Sequence, residues 1–223
     1  MSIVSLDRQI SGLFDIPVSV ATQSTTAPSG ELLAQEQAAV ARALPVRQLE
    51  YTAGRVAARS ALGELGFAPS PLLPDLDRLP IWPNGAIGSL SHGGGVCAAV
   101  VARTEAARAL AIDIEENADL ARDLWPEVLI PSEIDWLSVQ PAKSRGKLAR
   151  LIFSAKESVY KCQFPLTRAT FGFDALQIDI DQRAATFDAT FLTRAGQFDV
   201  GDCLTGLFCQ TDDYLITTAT LAH

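Results

Sequence analysis

The stretch FSAKESVYK, residues 153–161, places two lysines, a glutamate and a tyrosine among only three clearly apolar residues. The pattern predicts a helix on which Glu157 and Lys161 share a face because they lie four positions apart, while Lys156 and Tyr160 share the next face. Taken alone, an acid and a base on a helix face indicate a solvated ion pair. Two other segments of the chain favour a functional site instead.

The first of these segments, AIDIEE at 111–116, alternates isoleucines with Asp113 and Glu115. A strand would therefore project both carboxylates from one side. Together with Glu157 they make three carboxylates, which would repel one another strongly unless a cation compensates them. Carboxylate oxygens are ligands of Mg²⁺, which fills its shell with waters and substrate phosphate oxygens. The alternative is a solvated strand face without a metal.

Cationic residues complete the pattern, in a chain whose formal net charge is −8. Arginine binds phosphate bidentately, lysine acts as a point charge, and the histidine of GSLSHGGG (88–95) can donate to a phosphate oxygen from a glycine-rich turn. A solvated basic helix face is the alternative for the arginines, and a structural histidine is the alternative for His92. The candidate phosphate-binding cations are Arg47, Arg55, Arg59, Arg78, His92, Lys156 and Lys161.

Composition limits the class of protein. With 223 residues, 48% hydrophobic and 20% charged, the chain is typical of a globular protein of one large domain or two closely packed small ones. The acidic balance argues against broad binding to nucleic acid or anionic membranes. Four cysteines without metal spacing indicate free thiols in the cytosol. We expect no signal peptide in MSIVSLDRQI and no transmembrane segment, because the longest apolar run (96–102) is too short.

The order of predicted elements indicates an α+β fold made of two lobes, 1–106 and 107–223, with the site at their interface. Each lobe contains a long helix and hairpin strands. We expect the main helices at 31–44, 45–65 and 147–164, the last ended by Pro165. We expect strands at 13–21, 86–90, 96–103, 108–115, 175–180, 184–192, 203–210 and 214–221.

Four segments together resemble the 4′-phosphopantetheinyl transferases of the surfactin and enterobactin synthesis type. They occur in the family's order with family-like spacing. The segments are AGRVAARSAL (53–62), PIWPNGAIGSLSHGGG (80–95), AIDIE (111–115) and FSAKESVYK (153–161). The family usually has glycine where this chain has Ala111. Many members carry a lysine just before the PxWP segment, where Arg78 stands here.

The resemblance implies a pseudo-twofold pair of α/β lobes with coenzyme A between them. It implies transfer of the phosphopantetheine arm of coenzyme A to a serine of a carrier protein, with Asp113, Glu115 and Glu157 binding Mg²⁺, or Mn²⁺ in its place. Glu157 would accept the serine proton, directly or through a water, and Lys161 would act on the departing phosphate. The coenzyme-binding residues implied are Arg47, Arg55, Arg78, Ser91, His92, Asp113, Lys156 and Lys161.

The expected partners are apo acyl or peptidyl carrier proteins of fatty acid, polyketide, nonribosomal peptide or siderophore synthesis, and the expected state is a cytoplasmic monomer. A non-catalytic module that binds coenzyme A or a carrier protein is the first alternative. A magnesium-dependent phosphohydrolase and a structural protein with solvated charges are two others. A Ser91–His92–Asp113 hydrolase triad is disfavoured, because adjacent residues rarely face each other as nucleophile and base and no G-x-S-x-G is present.

Overall fold

The computed structural model describes residues 3–223. Residues 1 and 2 lie outside the described residues. The predicted N-terminal lobe and the segment expected to contain no signal peptide both begin there. The helices are α1 (Ile3–Ser11), α2 (Ala34–Val40), α3 (Pro45–Glu64), α4 (Trp125–Val128), α5 (Pro131–Ser138) and α6 (Arg145–Thr167). The strands are β1 (Ser19–Ser24), β2 (Ala86–Gly93), β3 (Val96–Arg103), β4 (Ala109–Glu116), β5 (Leu176–Asp181), β6 (Thr186–Phe191), β7 (Cys203–Gln210) and β8 (Tyr214–Leu221).

The first three strands form an antiparallel sheet in the order β1-β3-β2. Helix α3 lies on this sheet and buries a stripe of small residues that recur at helical spacing. Because these side chains are small, the helix backbone can approach the sheet closely. The buried stripe is Ala53, Ala57, Ala58, Ala61 and Leu62.

The other five strands form a second antiparallel sheet in the order β4-β8-β7-β6-β5. Helix α6 packs on it with an apolar face whose members recur every three or four residues. The buried face of α6 includes Leu148, Leu151, Ile152, Ala155 and Val159. The two sheets and their helices confirm the predicted α+β class.

The two sheets meet edge to edge along β2 and β4. Backbone N–H groups of Ile112 and Ile114 donate to the hydroxyls of Ser89 and Ser91, each at 3.2 Å. These serines satisfy polar groups of an edge strand that would otherwise be buried without a partner. At Gly93 a Cβ would clash with the Ile114 carbonyl oxygen, so the close approach of the strands requires glycine.

An apolar core shared by both sheets lies beside this junction and is covered by α1. Its members come from both ends of the chain, so the two sheets are held together by burial as well as by polar contacts. The shared core includes Leu6, Ile10, Val100, Ile112, Ile114 and Ile216. Within the described range, no helix is long and apolar enough to cross a membrane.

Four predictions about elements need correction. The strand expected at 13–21 begins only at Ser19, after the unpredicted helix α1 and beyond Pro17. The helix expected at 31–44 is shorter, covering Ala34–Val40. Helix α6 does not stop before Pro165. The proline lies in its last turn, where few backbone bonds are lost, and the helix ends at Thr167, followed by the cap residue Arg168, whose φ is 56°.

The expected glycine-rich turn at 91–95 is also smaller than predicted. Strand β2 continues through His92 to Gly93, and the turn is formed by Gly94 and Gly95, whose φ values of 57° and 81° favour glycine.

Candidate active site

A cleft of about 1120 Å³ runs between the two sheets. One side is formed by α3, β2 and the loop at residues 74–82, and we call it the α3–β2 wall. The other side, the β4–α6 wall, is formed by those two elements. The cleft brings together almost all of the sequence-predicted site residues. Its lining includes Arg47, Arg55, Arg78, Ser91, His92, Asp113, Glu115, Glu157 and Lys161.

The α3–β2 wall carries exposed cations. Arg47 Nη1 lies 3.2 Å from His92 Nε2 and 3.0 Å from the Glu50 carboxylate. The side chains of Arg47 and His92 are 56% and 44% exposed, so both can turn toward a ligand at little cost. Exposed charged groups of this kind suit an anionic ligand that exchanges with solvent.

Arg55 is the exception on this wall because it is buried. Its Nε donates to the Leu72 carbonyl oxygen at 2.7 Å, and its Cζ lies 4.1 Å from the centre of the Tyr51 ring. Arg78 is exposed on the loop, with a φ of 68° that is uncommon for a residue with a side chain. Arg59 does not line the cleft and pairs with the buried Glu36.

Asp113 is the centre of the β4–α6 wall, and it is only 3% exposed. Lys161 Nζ donates to its Oδ1 at 2.6 Å, and the Ser91 hydroxyl donates to the same oxygen at 2.9 Å. The Ser154 hydroxyl donates to Oδ2 at 2.7 Å. Both carboxylate oxygens are therefore held, as a buried charge requires.

Glu115 projects into the cleft two residues later and pairs with Arg150, whose Nη1 donates to its Oε2 at 2.9 Å. Burial, and then the neighbouring charge of Asp113, raise the pKa of Glu115 to about 7 although Arg150 opposes the shift. Asp113 thus stands close enough on the same strand face to disfavour the charged form of Glu115.

Glu157 lines the cleft from α6, half-buried. Burial raises its pKa, the nearby Lys161 opposes the shift, and Asp113 adds to it. None of the hydrogen bonds found in the described part of the chain uses the Glu157 carboxylate. It is therefore available as an acceptor, with a pKa moved toward neutrality, as a general base requires.

The prediction that Lys156 binds the coenzyme is corrected. Lys156 is 1% exposed and points away from the cleft into the lobe of the five-stranded sheet. Its Nζ donates to the Glu133 carboxylate at 2.7 Å and to the carbonyl oxygens of Val128 and Phe173 at 2.9 Å. Adjacent helix positions differ by about 100°, so Lys156 and Glu157 face opposite environments. Tyr160, which is expected on the same helix face as Lys156, lines the cleft instead.

The donor types at the cleft fit a hard divalent cation, since three carboxylates face one cavity and the pKa values of Glu115 and Glu157 are raised. As they stand, Lys161 and Arg150 neutralise two of the three. Across residues 3–223, no three His, Cys, Asp or Glu side chains are gathered as a ready-made metal site. Binding of a cation would therefore need these two ion pairs to loosen.

Four residues behind the β4–α6 wall were not predicted from the sequence. Arg150, Ser154 and Glu133 hydrogen-bond to Glu115, Asp113 and Lys156 respectively, and Thr217 hydrogen-bonds to Ser154. Polar residues inside otherwise apolar helix and strand faces are the signal that could have indicated Ser154 and Thr217, since buried polar groups need partners.

Comparisons with known proteins cover most of the chain. Residues 35–102 match the 4′-phosphopantetheinyl transferase N-terminal domain, and residues 109–219 match the 4′-phosphopantetheinyl transferase superfamily. The chain is 42% identical to the 4′-phosphopantetheinyl transferase Svp of Streptomyces mobaraensis over 172 residues, 77% of this chain and 70% of that protein. It is 34% identical to the 4′-phosphopantetheinyl transferase PptT of Mycobacterium tuberculosis, over 73% of this chain and 71% of that protein. It is 38% identical to enterobactin synthase component D of Escherichia coli, over 56% and 59% respectively.

Proposed function

Because the chain belongs to the 4′-phosphopantetheinyl transferase superfamily, we infer that it transfers the 4′-phosphopantetheine group of coenzyme A to a serine of a carrier protein. The products are the holo carrier protein and adenosine 3′,5′-bisphosphate. The observation that carries this inference is the similarity to named transferases over about three quarters of the chain. The cleft that collects the predicted site residues supports it.

We propose that the coenzyme's phosphates bind at the α3–β2 wall. Arg47, His92 and Arg78 are exposed there and carry donors suited to phosphate oxygens, and Arg55 is fixed beside them. We propose that Ser91 also contacts the coenzyme, at the boundary of the two walls. Its hydroxyl already joins Asp113 to Lys161, so it would hold those two groups next to the bound coenzyme.

Asp113, Glu115 and Glu157 would hold Mg²⁺, or Mn²⁺ in its place, on the opposite wall. When bound, the ion would withdraw charge from the pyrophosphate. Coenzyme A brings its own negative charge, so Lys161 would move from Asp113 toward a phosphate oxygen. Glu115 would likewise exchange Arg150 for the ion. The pKa of Glu115, raised by burial and then by the charge of Asp113, supports this proposal, because a bound cation would compensate the buried negative charge.

The reaction would proceed by attack of the carrier's serine oxygen on the β-phosphorus of coenzyme A. A P–O bond forms there as the bond to adenosine 3′,5′-bisphosphate breaks, and the serine proton passes to Glu157 directly or through a water. Lys161, one turn further along α6, would stabilise the charge that develops on the departing phosphate. The lobes, divided near residue 106, would align the two anionic reactants between them.

The partners are carrier proteins in their apo form. We propose that the chain works as a monomer in the cytosol, which suits its four free cysteines, two of them buried.

The transfer can be tested by incubating the chain with coenzyme A, Mg²⁺ and an apo carrier protein and weighing the intact carrier. We expect the carrier to gain one phosphopantetheine group, and a carrier whose acceptor serine is replaced by alanine to gain none. A chain that releases phosphopantetheine without any carrier, or binds coenzyme A without transfer to a panel of acyl and peptidyl carriers, would contradict the proposal.

A further inference from the structure

The two oxygens of Asp113 have partners in different places, one at the cleft and one behind it. Oδ1 faces Lys161 and Ser91, both at the cleft lining, whereas Oδ2 accepts a hydrogen bond from Ser154. Ser154 is fully buried on α6 and is the second residue of the FSAKESVYK segment. Ser154 does not line the cleft.

A second hydroxyl stands behind Ser154. Thr217 on β8 is the cross-strand neighbour of Asp113, and it is also fully buried. Its Oγ1 lies 2.9 Å from Ser154 Oγ and 2.8 Å from the Ser154 carbonyl oxygen. The two hydroxyls and the carboxylate therefore form one buried chain that joins β8, α6 and β4.

The number of protons fixes the direction of this chain. A carboxylate can only accept, so the single hydroxyl proton of Ser154 must point to Asp113 Oδ2. Ser154 Oγ then has only lone pairs to offer Thr217. The Thr217 hydroxyl therefore donates its proton either to Ser154 Oγ or to the Ser154 carbonyl oxygen. No proton in the chain is spare.

We propose that Ser154 and Thr217 are positioning residues, which hold Asp113 Oδ2 inside the protein so that Oδ1 alone is presented to the cleft. This inference rests on the proposed function, in which Asp113 is a ligand of the divalent ion. Partners behind a metal ligand fix its orientation, and their loss commonly weakens metal binding. Without Ser154, Asp113 would have a buried oxygen with no donor and would turn toward Lys161.

The same helix provides a matched control. Ser158 is also fully buried on α6, and its hydroxyl donates only to the Ala155 carbonyl oxygen within the helix. The substitutions Ser154→Ala and Ser158→Ala remove the same atom from equally buried sites. Only the first one removes a contact with Asp113.

The test measures Mn²⁺ binding by electron paramagnetic resonance on the whole chain without coenzyme or carrier, and the Mg²⁺ concentration for half-maximal transfer. For Ser154→Ala we expect both values to shift about tenfold or more toward weaker binding. Ser158→Ala should leave both the Mn²⁺ affinity and the Mg²⁺ requirement near the wild-type values. Ser154→Thr, which retains the hydroxyl, should recover most of the metal binding that Ser154→Ala loses. Equal behaviour of the two alanine variants would overturn the proposal.

Thr217→Val provides a second variant should Ser154→Ala fail to fold, because valine matches threonine in shape and removes only the hydroxyl. We expect a smaller shift in the same direction, and unchanged Mn²⁺ binding would overturn the proposal. Wild-type transfer to an apo carrier is measured separately. Failure of that transfer would contradict the proposed function. The Mn²⁺ measurement would still show whether the Ser154→Ala and Ser158→Ala variants differ in metal binding.

Discussion

The two walls of the cleft carry charges of opposite character and hold them differently. On the α3–β2 wall, Arg47 and His92 are about half exposed and contact each other and Glu50. On the β4–α6 wall, Asp113 is buried with donors at both oxygens, and Lys161 reaches it from α6. Exposed cations suit binding and release of an anionic ligand, whereas a buried carboxylate held at both oxygens keeps its position before the reaction begins.

The largest effect on transfer is expected from Glu157→Gln on the β4–α6 wall. The amide cannot accept the serine proton, so we expect turnover to fall by about 10²–10⁴-fold. Stability should change little because Glu157 is half-buried. The control is Glu116→Gln, at an exposed carboxylate at the end of β4 that lies outside the cleft. Intact-mass kinetics on an apo carrier measure the effect, and wild-type turnover in Glu157→Gln would contradict the assigned role.

Lys156→Met tests whether this lysine of the FSAKESVYK motif stabilises the fold and does not bind the coenzyme. The substitution leaves Glu133 buried without its cation, so we expect the free energy of unfolding to fall by about 3–5 kcal/mol. Lys147→Met, at an exposed lysine of the same helix, should have little effect. Urea denaturation measures both. A stable Lys156→Met variant with a raised KM for coenzyme A would return Lys156 to the coenzyme site.

Lys161→Ala tests the other lysine of the motif. Because Lys161 is proposed to act on charge that develops during the reaction, we expect turnover to drop by about 10²-fold, with a smaller change in coenzyme A affinity. Steady-state kinetics measure the turnover, and calorimetric binding measures the affinity for coenzyme A. A rise in KM alone would assign Lys161 to ground-state binding.

Arg47→Ala should give the reverse result on the α3–β2 wall. Loss of an exposed charge-assisted contact should raise the KM for coenzyme A about tenfold, with kcat nearly unchanged. Arg42→Ala is the control, since Arg42 is also exposed but lies outside the cleft. A fall in kcat with unchanged KM in Arg47→Ala would remove the distinction between the walls.

Arg168→Ala should have the smallest effect. Among the ion pairs of the described chain, those of Arg168 with Asp75 and Asp77 alone join residues before and after position 106. The side chains of Arg168, Asp77 and Asp75 are 47%, 51% and 23% exposed, so solvent screens the pairs and we expect a stability loss of no more than about 1 kcal/mol. The shared apolar core then carries the contact between the sheets. A loss of several kcal/mol in urea denaturation would show instead that the ion pairs of Arg168 dominate the contact between the sheets.

Local patterns in the sequence predicted most of the framework. Helix α3 and strands β5 to β8 lie close to their expected positions because amphipathic spacing and turn residues are local signals. Helix α1 was not predicted, since its nine residues gain their stability by packing on strands that come much later in the chain.

The site was predictable as a set of residue types, but its connections were not. Lys156 and Glu157 are neighbours in one motif, and nothing local tells which of them faces the lobe's interior. That choice is made by Glu133, which lies 23 residues away and offers Lys156 a buried carboxylate. The link from Asp113 to Thr217 depends likewise on the pairing of β4 with β8, more than 100 residues apart.

The central claim is that Asp113, Glu115 and Glu157 bind one divalent ion together with coenzyme A. Titration of the chain with Mn²⁺, followed by electron paramagnetic resonance in the presence and absence of coenzyme A, tests it most directly. We predict one ion per chain, bound more tightly when coenzyme A is present, and loss of this binding when the three carboxylates are replaced by their amides. Unchanged Mn²⁺ binding in the triple amide variant would contradict the account.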